Sequence, residues 1–190
     1  MSFKINALEL NIGSQIWSSK NLNVSIYRNG DTIPQIKDGN SWANISVGAW
    51  CYFENKIAND TTYGKLYNWF AINDPRGLAP IGYHVPSISE WRTLSDYLGG
   101  DSIAGQKMKS NYGWKNNGNG TNSIGFAGLA GGLRYSFGNF SGIGSYGYWW
   151  SSSEDNISSA WHRFLDYNCD ILKSNTYYKQ SGFSVRCLRD

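Results

Sequence analysis

The side chains of this chain best suited to chemistry near neutral pH are two histidines and three cysteines, and their settings restrict what they can do. A hydrolase of the Ser-His-Asp or Cys-His type needs an imidazole beside a nucleophile. His84 lies in Gly-Tyr-His-Val-Pro-Ser, directly ahead of a helix start, and is expected to be a buried structural residue. His162 lies in Ala-Trp-His-Arg-Phe-Leu-Asp, whose alternation puts it on the outward face of a strand, to meet a ligand or water. Cys51, Cys169 and Cys187 match no zinc motif, with no CxxC and only two histidines in the chain. Nucleophile elbow, phosphate loop and dinucleotide fingerprint are absent from the sequence, so no catalytic residue is assigned. Calcium needs several oxygen ligands with net negative charge. The stretch Asn-Asn-Gly-Asn-Gly-Thr-Asn at 116–122 offers amides and carbonyls but no carboxylate. It reads as a turn, with a weakly held structural calcium ion as the alternative; otherwise no cofactor is expected.

What remains is surface. Tyr146, Tyr148, Trp149 and Trp150 surround Gly147, with Ser151 to Ser153 following. Aromatic faces stack on sugar rings or pack against protein partners, and nearby hydroxyls and amides add adaptable hydrogen bonds. In an alternating strand at least one of Trp149 and Trp150 must be core. The stretch 154–180 is polar, carries Asp155, Asn156, Asp166, Asn168, Tyr177 and Tyr178, and lies between two core-like strands.

The composition says what kind of scaffold must hold these groups. Charged residues are only 16% of the chain, and the gap is filled partly by 22 Gly, 9 Trp and 13 Tyr. Glycine serves turns, and each large aromatic buries much area, so a loop-rich fold can be held by few side chains. The 190 residues suit a single domain over 1–190, with residues 1–11 as a short N-terminal extension. A scattered net charge of +3 without a Lys/Arg cluster argues against nucleic acid. No apolar run approaches the ~18 residues of a membrane span. Met1-Ser2-Phe3-Lys4 opens without the apolar stretch of a secretory signal.

The segment 12–27 reads as strands, 28–46 as a turn-rich excursion, and Ala49–Phe53 as a buried strand. Leu66, Trp69 and Phe70 recur at helical spacing, and the spacing predicts a helix within 59–73. Ser87 and Glu90 form a capping box ahead of the stripe Trp91, Leu94 and Leu98, and Gly99 supplies the left-handed stop. A shorter helix is expected over Ser102–Lys109. Past Asn111 the reading is strands separated by glycine: Phe126–Tyr135, Tyr148–Ser153, Ala160–Asp166 and Ser181–Arg189. Within Ala160–Asp166, Trp161 and Leu165 share one face, and His162, Phe164 and Asp166 the other. Two to three helices followed by a glycine-rich antiparallel sheet with long loops give an α+β domain.

Several of these segments, in this order, are similar to the Fibrobacter succinogenes major paralogous domain, a family common in Bacteroidetes. They include IGSQIWSSKNL, GAWCYFEN, TYGKLYNWFAINDPRGLAP, GYHVPSISEWRTLSDYLGG, NGTNSIGFAGLAGGLRY, GYWWSSSE, AWHRFL and GFSVRCLRD, covering Ile12 to Asp190. The resemblance implies a C-type-lectin-like fold in which N- and C-terminal strands pair. That fold is shared with formylglycine-generating enzymes and with the variable proteins of diversity-generating retroelements. Neither sugar-binding triplet of the calcium-dependent lectins occurs, nor the active-site pattern of the formylglycine-generating enzymes. Many members have Cys-Pro where this chain has Ala79-Pro80, which leaves Cys51 as the alternative partner for a disulfide to Cys187. By likeness to the retroelement proteins, a ligand is expected to meet the C-terminal loop face. With the aromatic cluster, that nominates Tyr146, Asp155, Asn156, His162, Phe164, Asp166, Asn168, Tyr177 and Tyr178.

The expected function is a non-catalytic recognition domain on a bacterial surface or phage particle, binding a cell-surface glycan or protein without entering the membrane. The alternatives are a structural or decoration subunit contacting sister subunits of a phage or fimbrial assembly, and an oxidase of the formylglycine-generating kind.

Overall fold

The computed structural model describes residues 9–190. Its strands are β1 (Glu9–Ile12), β2 (Gln15–Ser18), β3 (Trp50–Cys51), β4 (Leu66–Tyr67), β5 (Tyr83–His84) and β6 (Gly131–Arg134). They continue with β7 (Phe140–Ile143), β8 (Tyr146–Glu154), β9 (Ser159–Asp166), β10 (Lys173–Tyr178) and β11 (Leu188–Arg189). Its helices are α1 (Gly39–Ala43), α2 (Asp60–Tyr63), α3 (Trp69–Ile72), α4 (Ile88–Tyr97) and α5 (Asp101–Met108). The class is α+β, as the sequence predicts. Strand β1 takes in residues 9–11, expected to be part of a short N-terminal extension; the rest of that extension lies outside the described residues.

One sheet, ordered β1-β2-β11-β5, joins the chain's two ends: Leu188 pairs with Trp17 on one side and His84 on the other. A second, ordered β10-β9-β8-β6-β7, is antiparallel except for a parallel contact between β6 and β8 at Gly132 and Gly147. A third pairs β3 with β4. Helix α4 starts where the capping box requires, with Ser87 Oγ accepting from the Glu90 N–H and the Glu90 carboxylate accepting from the Ser87 N–H. Its end at Gly99 has φ 98°, a left-handed value that glycine adopts without strain.

The helix predicted within 59–73 does not form as one piece. Gly64, at φ 72°, ends α2 after a single turn. Leu66 and Tyr67 then extend to pair with Cys51 and Trp50, and Tyr67 also exchanges backbone bonds with Phe183 at 2.8 and 3.1 Å. Asn68 restarts a turn by accepting the Ala71 N–H. The apparent helical spacing of Leu66 and Trp69 is burial of separate elements, Leu66 in one apolar cluster and Trp69 in another. Ser181–Arg189 is likewise mostly isolated bridges, to Arg134, Tyr67 and Trp149, before β11.

Among the described residues, three apolar clusters fill the interior. Trp17, Trp91, Phe126, Trp149 and Leu165 belong to the one beneath α4 and α5; Tyr67, Trp150, Phe183, Val185 and Cys187 to another; Trp42, Cys51, Phe53 and Leu66 to a third. Adjacent Trp149 and Trp150, both fully buried, enter different clusters because alternate strand positions face opposite ways. Cys51 and Cys187 also fall in different clusters and carry free thiols, so the bridge left open by the family resemblance is not formed. Burial pushes both thiols up to about 12.

Candidate functional site

The register of β8, β9 and β10 assembles one aromatic face. Tyr148 stands opposite Phe164, and Phe164 opposite Lys173; Tyr146 stands opposite Asp166, Trp150 opposite His162, and His162 opposite Asn175. Because side chains alternate, all of these and Tyr177 point to the same side of the ribbon. The rings form two layers. The lower one is Trp150, His162 and Phe183, all buried. Phe183 comes from the stretch that crosses this face, with its ring 4.3 Å from Trp150, 4.9 Å from His162 and 5.0 Å from Tyr148. Above lie Tyr146, Tyr148, Phe164 and Tyr177, each only partly buried. Tyr148 stacks on Phe164 at 5.4 Å and leans on Tyr146 at 5.9 Å. Tyr135 packs on the same cluster and carries Phe137 in a near-parallel stack at 4.9 Å, with Phe137 60% exposed.

Burial, and then the neighbouring hydroxyls of Tyr146, Tyr177 and Tyr135, push the Tyr148 hydroxyl above its ordinary value. Burial does the same to Tyr177. Both remain neutral hydroxyls that donate and accept hydrogen bonds. At the face's edge Lys173 Nζ sits 3.1 Å from the Asp166 carboxylate and 5.5 Å from the Phe164 ring. The arrangement can stack planar apolar faces and hydrogen-bond around their edges.

The structure divides the nine predicted contact residues. Tyr146, Phe164 and Tyr177 are brought together with open surface. His162 shares their face but is 1% exposed, a correction to its expected outward position: the alternation holds, and Phe183 covers the face. Desolvation lowers its pKa to about 3, and Nδ1 has no hydrogen-bond partner among the described residues, so it is a neutral ring in the packing. Asp166 is also buried and turns to structure, pairing with Lys173 and accepting the Asn168 N–H at 3.2 Å. Asn168, though exposed, lies on the β9–β10 turn.

Asp155 and Asn156 form the β8–β9 turn, at the other end of an eight-residue strand, hence about 25 Å away. There Asp155 Oδ2 accepts from Ser159 Oγ and Asn156 Nδ2, both at 2.7 Å, and Asn156 Oδ1 accepts from two backbone N–H groups. Tyr178 is 60% exposed but points to the opposite side of the ribbon. The predicted loop face is thus largely a strand face. Sequence reasoning nominated neither Tyr135, Phe137 nor Lys173. An aromatic pair flanking one serine in Tyr-Ser-Phe was the only signal for Tyr135 and Phe137, and Lys173 had none.

The chain belongs to the Fibrobacter succinogenes major domain family. The family model matches residues 10–189, from within β1 to the end of β11, so the aromatic face is part of the Fibrobacter succinogenes major domain. Neither a curated protein nor a solved structure matches the chain.

Outside that face, His84 is half-exposed rather than buried as expected. Nδ1 lies 2.8 Å from Asp190 and Nε2 2.9 Å from Glu90, so both ring nitrogens face carboxylates. Desolvation opposes the charged form, but these contacts win and raise its pKa. No nitrogen is left to take a nucleophile's proton. Among the described residues no group of three or more His, Cys, Asp or Glu could hold a metal ion. In the 116–122 turn, the side-chain oxygens of Asn119 and Asn122 accept the N–H groups of Trp114 and Ala127.

Proposed function

We propose that this domain is a non-catalytic recognition module of C-type-lectin-like fold, displayed on a bacterial surface or phage particle. It binds a cell-surface glycan, or a protein, through the β8–β9–β10 aromatic face. The pairing of the terminal strands and the glycine-rich second half support that fold. The observation that carries the function is the upper layer of rings, Tyr146, Tyr148, Phe164 and Tyr177, left partly open over a rigid aromatic floor. Rigid rings offer contact area at small entropic cost, and a pyranose presents a flat C–H face of matching size. Asn175, exposed on the same side, and Lys173 at the edge supply polar contacts. Oxidase chemistry gains no support from the cysteines: Cys51 and Cys187 are buried apart, and burial keeps both thiols protonated, whereas the thiolate is the reactive form.

The test is a glycan array with a parallel cell-binding assay, run with the native domain and with Tyr146→Ala/Tyr177→Ala. The variant is expected to lose at least about tenfold in affinity, equivalent to about 1.4 kcal/mol. Undiminished binding would place the contact elsewhere. Binding to cells but to no glycan would select a protein partner.

A further inference from the structure

We infer that a cleft beside β2, separate from the aromatic face, binds a small oxyanion-bearing molecule, its carboxylate or phosphoryl group meeting Arg186. The cleft has a volume of about 600 Å³, and its walls include Lys20, Asn21, Thr62, Tyr63, Tyr112 and Arg186. Its floor reaches Asn21, whose Oδ1 accepts from Trp149 Nε1 at 2.9 Å; Trp149 points away from Tyr148, so the cleft and the aromatic face are distinct.

Arg186 is only 3% exposed. Nε donates to Asn21 Oδ1 at 2.8 Å, Nη1 donates to the Ser18 carbonyl at 2.9 Å, and the guanidinium lies 4.4 Å from the Phe126 ring. Among the described residues Nη2 has no hydrogen-bond partner and no carboxylate lies within salt-bridge reach. The two other buried arginines are different. Arg134 uses all three nitrogens, donating to the carbonyls of Gly138, Ile36 and Lys37 at 2.9, 2.6 and 2.8 Å. Arg163 has the Asp101 carboxylate at 2.9 Å. Burying a cation without an anion costs several kcal/mol by order of magnitude, and desolvation accordingly pulls Arg186 down to about 9.

What sets Arg186 apart is an unpartnered Nη2 beside a cleft, where a planar guanidinium fork suits an incoming planar carboxylate or a phosphate. Lys20 adds a second positive charge to the walls. The single acidic residue lining the cleft, Asp60, has Lys65 Nζ 3.8 Å away to offset its charge. Tyr63 and Tyr112 supply ring faces and hydroxyls for the body of the ligand.

Isothermal titration of the whole chain with glucuronate, acetate and inorganic phosphate, at fixed ionic strength and with glucose as the neutral control, tests the assignment. Saturable binding of at least one oxyanion, with glucose silent, is expected. Arg186→Lys keeps the charge but loses the fork, and is expected to weaken binding about tenfold or more. Because Arg186 is buried, Thr62→Trp at the exposed rim serves as a second variant that blocks the mouth without entering the core, with the same loss expected. Tyr146→Ala/Tyr177→Ala should leave oxyanion binding intact, which separates this claim from the glycan-face reading. Binding of glucuronate or acetate alone identifies a carboxylate, and of phosphate alone a phosphoryl group. No saturable binding of any oxyanion, or binding unchanged in Thr62→Trp and in Lys20→Ala, overturns the inference.

Discussion

The two sides of the β8–β9 ribbon obey the same alternation and end in opposite conditions. On one side Trp149 and Leu165 are fully buried against α4 and α5, and Arg163 is locked to Asp101 at the start of α5. On the other, the cover is one extended stretch whose Phe183 seals Trp150 and His162 but leaves four further rings partly open. A helix pair closes its side over Trp149, Arg163 and Leu165, leaving Trp161 partly buried and Tyr178 exposed beyond it; a single extended segment closes only a strip. What leaves a face open to solvent is thus the width of its cover rather than its own residue types.

The largest expected effect breaks the closed side. Trp149→Ala removes a buried indole and its hydrogen bond to Asn21, at a cost of about 3–5 kcal/mol. Tyr146→Ala on the open side should cost less than about 1.5 kcal/mol, because its ring is only partly buried. Urea denaturation of both variants measures the contrast.

The next effect sharpens the layering of the open side. The unfolded chain protonates His162 near pH 6.5, while the folded chain, with its pKa lowered to about 3, does not. Stability must therefore fall as pH drops below about 6.5, by roughly 2 kcal/mol at pH 5, and the loss stops growing below the folded pKa. His162→Phe keeps a ring of similar size and should flatten this acid limb in denaturation curves. An unchanged limb would show that His162 is not sealed under Phe183.

The smallest effect runs the other way. His84 has its pKa raised, by the hydrogen bonds to Asp190 and Glu90 that outweigh its desolvation. Its contribution is full below about pH 6.5 and lost as pH rises through the folded value. The group is more than a third exposed, so water screens it to less than about 1 kcal/mol. His84→Gln should remove that alkaline-side slope and leave the acid limb of His162 in place.

Helix α4 was legible because its signals are local: Ser87, Glu90 and Gly99 act on neighbouring backbone. The alternation in β9 was legible for the same reason and put His162, Phe164 and Asp166 on one side. Which side would be covered was not, since the cover is Phe183, nearly two strands later in the chain. Strand β10 escaped notice because Lys-Ser-Asn-Thr-Tyr-Tyr alternates no apolar residues; it exists by pairing along β9. The helix predicted within 59–73 failed where Gly64 and the pairing of Leu66 and Tyr67 overrode a spacing that mimicked a turn. Of the candidate contacts, Asp155 and Asn168 were expected for their polarity, yet the Asp155 side chain and the Asn168 backbone N–H build turns at opposite ends of the ribbon.

Aromatic carbon–proton NMR spectra of the domain, recorded while titrating the array glycan that binds best, test the claim most directly. Ring signals of Tyr146, Tyr148, Phe164 and Tyr177 are expected to shift together while those of Trp149 and Phe126 stay fixed. Shifts confined to Trp149, Phe126 or the Tyr63–Tyr112 cleft, with the four open rings unmoved, would contradict it.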